Sequence, residues 1–127
     1  MSKPNHPQLI GIVGPCAAGK STLINGLVKH GYNARHIAQE HSFAPAMWQK
    51  ITNPDLLIYL DVTFLESSER RRMDWEEKDF NAQVERLNHA RQNADLYIQT
   101  DKLSIVEVLD TTLNYLGNRD NKMQEAE

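Results

Sequence analysis

Cysteine is almost absent from this chain. The single Cys16 excludes an intrachain disulfide and fits a reducing compartment, so a cytoplasmic location is expected. Long apolar runs are also missing. Leu9–Val13 is too short for a signal peptide or a membrane span, so no membrane partner is expected. Positive charge is not in excess either. The net charge of −3 supplies no clustered basic face, which argues against long nucleic acid as a partner. Arg70, Arg71 and Arg72 are the one local exception. No internal repeat is visible. The 127 residues suit one domain with one core, spanning 1–127.

What is present alternates. Residues 8–13 are apolar and rich in β-branched side chains, which predicts a fully buried parallel strand. A helix follows over 20–30, with Leu23, Ile24, Leu27 and Val28 at helical spacing. A weaker strand is predicted over 34–39, followed by a short helix over 44–51 with Pro45 near its start. Asn53-Pro54-Asp55 is turn chemistry, and Leu56–Val62 is the clearest strand. Residues 65–93 are dense in charge and predict solvent-facing helices that cover the core rather than build it. Residues 94–100 predict a last strand. Ser104 and Glu107 form a capping box. The helix it opens carries Ile105, Val108, Leu109, Leu113 and Leu116 on one face, and a polar tail over 117–127 is expected to fray. This order predicts an α/β fold with a small, mostly parallel sheet of about four strands and helices on both faces. Functional groups should then gather at the C-terminal edge of the sheet.

Residues 14–21, Gly-Pro-Cys-Ala-Ala-Gly-Lys-Ser, match the P-loop pattern G-x-x-x-x-G-K-[ST] between an apolar strand and an amphipathic helix. Glycines let the backbone curl so that its N–H groups form an anion nest, and the helix N-terminus adds partial positive charge. The binding set is Gly14, Pro15, Cys16, Ala17, Ala18, Gly19, Lys20, Ser21 and Thr22. Lys20 is expected at the β- and γ-phosphates, Ser21 on Mg²⁺, and Thr22 at the α-phosphate. Cys16 reads as a small side chain tolerated in the loop, with redox sensing as the sharper alternative.

A second metal ligand is expected at a strand end. Asp61, closing Leu-Leu-Ile-Tyr-Leu-Asp, and Glu40, after the 34–39 strand, are both candidates. His41 reads as a polar loop residue rather than a general base. The arginines at 70–72 suit a helical lid that stabilises a transferring phosphoryl group and excludes water. Trp75 fits packing of that lid or stacking on a base, packing being the commoner outcome. Trp48 fits either an acceptor pocket or the core.

Three stretches resemble the small P-loop kinases, the group of adenylate, shikimate and gluconate kinases. They are 12–23, 54–62 with the arginine run, and 94–109. The resemblance implies a three-layer P-loop NTPase fold, ATP and Mg²⁺ as cofactors, and γ-phosphoryl transfer to a small-molecule acceptor it leaves unidentified. It also implies a lid at about 65–93 carrying Arg71 and Arg72 as catalytic residues beside Lys20. Arg86 matches an arginine that shikimate-type kinases place before their last strand, although the tyrosine expected after it is Ala90 here. Residues 42–53 are too few for the further helix and strand these kinases carry, which brings Glu40 forward as the metal acid. A nucleotide-binding regulatory module or slow NTPase is the alternative expectation. A GTPase is the weakest, because no Asn-Lys-x-Asp signature is present.

Overall fold

The computed structural model describes residues 8–39, 42, 44–71 and 76–125, with backbone alone for Ile51, Arg71 and residues 120–125. Glu40, His41, Arg72 and Trp75, singled out above, lie outside the described residues, as does the side chain of Arg71.

Four strands form one sheet: β1 (Leu9–Val13), β2 (Asn33–His36), β3 (Leu56–Asp61) and β4 (Leu96–Gln99). Their order is β2-β1-β3-β4 and every pairing is parallel. β1 and β3 are central, and both faces of each are covered. This explains their unbroken apolar runs, because a strand buried on both sides has no face left for polar residues. β4 is an edge strand, and Tyr97 on it is exposed.

Five helices are described: α1 (Lys20–Lys29), α2 (Met47–Ile51), α3 (Phe64–Arg71), α4 (Glu77–Gln92) and α5 (Ile105–Glu125). Side-chain alternation along the strands divides the core in two. Ile10, Ile12, Leu56, Ile58 and Leu60 pack with Leu23 and Leu27 of α1 and Val108 and Leu116 of α5. Val13, Leu57 and Tyr59 face the other way, against Trp48 of α2 and Leu87 and Ala90 of α4. The architecture is therefore α/β, with a small parallel sheet between helical layers.

Two expectations change. Residues 65–93 do not merely cover the core. Within α4, Phe80, Gln83, Leu87 and Ala90 are buried, so that helix builds a layer. Its apolar stripe was masked by dense charge on the remaining positions. Of the two readings of Trp48, the core is the one observed, and its indole N–H donates to His89 Nδ1 at 3.0 Å. The last helix spans Ile105–Glu125, and Ile105 at its start is exposed instead of packed. The capping box forms as the pattern predicts. Ser104 N donates to Glu107 Oε1 at 2.8 Å, and Glu107 N donates to Ser104 Oγ at 3.1 Å. Among the described residues no helix is long and apolar enough to cross a membrane.

Candidate functional site

All four strands point the same way, so their C-terminal ends meet at one edge. The turn after β1 enters there at Gly14. A Cβ on Gly14 would collide with the carbonyl oxygen of Leu60 in β3, so only glycine lets the loop leave the sheet so close to its neighbour. Gly19 caps α1 in the left-handed region at φ 100°, with no atom within 4 Å of where its Cβ would stand. Its role is conformational rather than steric.

Side chains from distant segments hold this loop by its carbonyls. Ser67 Oγ donates to Cys16 O at 3.0 Å. Arg70 donates to Ala17 O at 3.0 Å. Thr100 Oγ1 shares its one proton between Asp61 O at 2.9 Å and Ala18 O at 3.2 Å. In a trans peptide the N–H of the next residue points opposite to the carbonyl. In these three peptide units the N–H groups of Ala17 and Gly19 lie opposite the held carbonyls, while that of Ala18 closes back on Pro15 O at 3.2 Å and is spent. α1 then begins with no side-chain cap and no acidic residue in its first turn. Donors so aligned at a helix start make an anion-binding concavity. Lys20 is only 7% exposed, and its ammonium donates to Gly14 O, bridging the mouth of the loop.

Ser67, Gln83 and Thr100 were missed by sequence reasoning. No local spacing marks Ser67 or Gln83, because each meets the loop only through folding. Thr100 carried one usable signal, a small hydroxyl residue just past a parallel strand. Gln83, buried in α4, grips Cys16 twice. Cys16 N donates to its Oε1 and its Nε2 donates to the thiol sulfur, both at 3.1 Å.

Arg70 is the member of the arginine run that reaches the loop. Besides Ala17 O, its guanidinium donates to Thr100 O at 2.8 Å, to Thr100 Oγ1 at 3.1 Å and to Glu66 at 3.0 Å. It ties α3, the loop and the end of β4 together. Arg70→Met is expected to lower the unfolding free energy by about 1–2 kcal/mol, since charge-assisted hydrogen bonds to part-buried oxygens are lost. Arg70→Lys should restore only part of this, because an ammonium lacks the planar fork that spans two residues. Urea unfolding of the two variants measures both.

Beside the loop opens a cleft of about 410 Å³, walled by Thr22, Leu23, Leu103, Ile105 and Val108 and edged by Arg70 and Asp101. Its lining mixes apolar side chains with a few polar and charged ones, the usual make-up of a small-molecule site. Asp101 is held by Thr63, whose backbone N–H and hydroxyl donate to it at 2.9 and 2.7 Å. Partial burial pushes the Asp101 carboxyl up, but the hydrogen bonds from Thr63 and the nearby Arg70 charge outweigh it and hold it below the ordinary 3.8. A carboxyl depressed on folding stabilises the protein above its unfolded pKa and loses that contribution as pH falls through the folded value. Wild type and Asp101→Asn should therefore differ by a constant amount at neutral pH. The gap should narrow as pH drops below 3.8, in denaturant titrations run at stepped pH.

The remaining expected residues separate. Ser21 and Thr22 open α1 beside Lys20. Asp61 shares the face of Leu57 and Tyr59, the α4 side of the sheet, whereas Ser21 sits on α1 across the sheet. Its carboxylate accepts from Val62 N at 2.9 Å and from the Tyr97 hydroxyl, with Arg91 Nε at 4.0 Å. Burial, then the Asp61 hydrogen bond, push the Tyr97 phenol above its ordinary 10.0. Arg86 stands on α4 at a second cavity of about 250 Å³, with Pro45, Ala82 and Glu85. Ser21 Oγ instead meets a residue that sequence reasoning passed over, His36 Nε2, at 2.9 Å. Among the described residues no group of three or more His, Cys, Asp or Glu side chains could hold a metal by itself. No protein-family model matches the chain, and no curated protein matches it.

Proposed function

We propose that the 14–22 loop binds the phosphates of a nucleoside triphosphate, ATP with Mg²⁺, and that the protein is a minimal kinase. In this reading it passes the γ-phosphoryl group to a small acceptor and releases ADP. One observation carries the reading. Three loop carbonyls are held by side chains beside an uncapped helix start, with the Lys20 ammonium on Gly14 O of the same loop. The nucleoside would occupy the adjoining cleft, where the apolar walls suit a base and the polar edges suit its heteroatoms. The donor set is compatible with the metal complex, since Ser21 offers an exposed hydroxyl at the helix start and the phosphates complete the shell. The bound cation would neutralise charge on the phosphates. Lys20 would hold the phosphate oxygens, and the loop N–H groups would orient them.

Calorimetric titration of the protein with a non-hydrolysable ATP analogue and Mg²⁺ tests the binding step, with Lys20→Met as the control. Saturable binding lost in the control supports it, and no heat in wild type removes it. Measuring ADP release in the presence of small hydroxyl and phosphate acceptors tests transfer.

A nucleotide-binding module with little turnover is favoured by one specific contact set. Arg70 already spends its donors on Ala17, Thr100 and Glu66, so it is not poised to meet a transferring phosphoryl group. Acceptor-independent, negligible ADP release together with tight analogue binding would select this reading.

A further inference from the structure

We infer that Gln83 is a positioning residue of the phosphate site: from α4 it holds the 14–22 loop in its binding shape before any nucleotide arrives. The inference rests on the nucleotide reading above.

α4 buries one stripe, on which Phe80, Gln83, Leu87 and Ala90 follow at helical spacing. Gln83 is the polar member, and it is only 6% exposed. A buried amide needs partners for both its oxygen and its nitrogen, since an unmet group is costly. Cys16 supplies both. A backbone N–H can only donate, so the Gln83 oxygen must face Cys16 N, at 3.1 Å. The amide nitrogen then falls on the Cys16 sulfur, also at 3.1 Å. Ser67 Oγ meets the Cys16 carbonyl at 3.0 Å. The N–H, the carbonyl and the side chain of this one residue are thus each held from α3 or α4.

The next residue gives that hold its purpose. Ala17 sits at φ 66°, in the left-handed region, without being glycine. For an L-residue such as alanine that conformation is disfavoured about tenfold. Strain of this kind persists where surrounding contacts over-determine it. Here Gln83 and Ser67 fix Cys16 before the turn, and Arg70 fixes Ala17 O after it. The same turn sets the Ala17 N–H opposite the held Cys16 carbonyl. A loop held in this shape loses less binding free energy to its own ordering. Gln83 acts through the loop backbone, so its role is positional.

Calorimetric titration of the full chain with a non-hydrolysable ATP analogue and Mg²⁺ tests this in a double-mutant cycle. Gln83→Met keeps the buried volume and removes both contacts to Cys16. It should weaken analogue binding about tenfold, the factor by which a left-handed alanine is disfavoured. Glycine adopts that region freely, so in an Ala17→Gly background the same change should cost less than about threefold. A general loss of packing under α4 would cost the same in both backgrounds. Amide exchange without nucleotide is the second readout. The Cys16 N–H should exchange at least about tenfold faster in Gln83→Met than in wild type. If Gln83→Met does not fold, Cys16→Ala removes the sulfur contact alone. It should weaken binding at least about twofold, again less with Ala17→Gly. Binding within about twofold of wild type in Gln83→Met, an equal cost in both backgrounds, or unchanged exchange at Cys16 overturns the role of Gln83 and leaves the nucleotide reading intact. Failure of wild type to bind the analogue at all overturns both.

Discussion

Gly14→Ala is expected to lower the unfolding free energy by about 3 kcal/mol or more, followed by tryptophan fluorescence in urea. The added methyl meets the carbonyl oxygen of Leu60, a backbone atom in the central strand β3. Neither partner can yield as a flexible side chain would. β3 is hydrogen-bonded to β1 on one side and β4 on the other, and every residue from Leu56 to Leu60 is buried. Relief therefore requires either moving the loop away from the sheet or breaking strand pairing, and overpacking of this kind is among the few single changes with large costs. Gly19→Ala is the informative contrast. Nothing lies within 4 Å of its Cβ, so its cost should be only the left-handed backbone penalty of about 1–2 kcal/mol. A Gly14 variant no less stable than the Gly19 variant would show that the loop does not lie against β3.

Lys20→Met should weaken binding of the ATP analogue at least about a hundredfold, equivalent to about 2.8 kcal/mol. Lys20 combines two features that make its charge effective. It is nearly buried, so water screens it poorly, and its stem is held by the fold with the ammonium on Gly14 O. An incoming phosphate would exchange a carbonyl partner for a full negative charge. Methionine keeps most of the buried stem, so stability should shift by no more than about 1 kcal/mol. Calorimetry and thermal unfolding of the same sample separate the two effects. Affinity within threefold of wild type would remove the proposed phosphate role from Lys20.

Gly14 and Lys20 are both legible in the chain itself, and the reason is locality. A pattern of glycines, lysine and serine between an apolar strand and an amphipathic helix is written within a few consecutive positions. The same holds for the Ser104–Glu107 capping box and for β1 and β3, whose unbroken apolar runs reflect burial on both faces. α4 was harder. Phe80, Leu87 and Ala90 form a real stripe, but exposed Glu77, Lys78, Asp79, Glu85 and Arg91 dilute it until periodicity is hidden. Arg70 was read as part of a charge run, and nothing in that run distinguishes a clamp from its neighbours.

The sequence alone determined the α/β alternation, the glycine-lysine-serine pattern between β1 and α1, and the residues able to start and cap its helices, because each depends on neighbours along the chain. Tertiary structure decided the rest. Strand order placed β2 against β1 and so brought His36 to Ser21, residues with no sequence relation. Side-chain alternation on β3 turned Asp61 toward Tyr97 rather than toward α1. Ser67, Arg70, Gln83 and Thr100 converge on the loop across separations of dozens of residues. Such contacts are set by which strand ends share an edge and which helix faces cover it, and no local pattern encodes them.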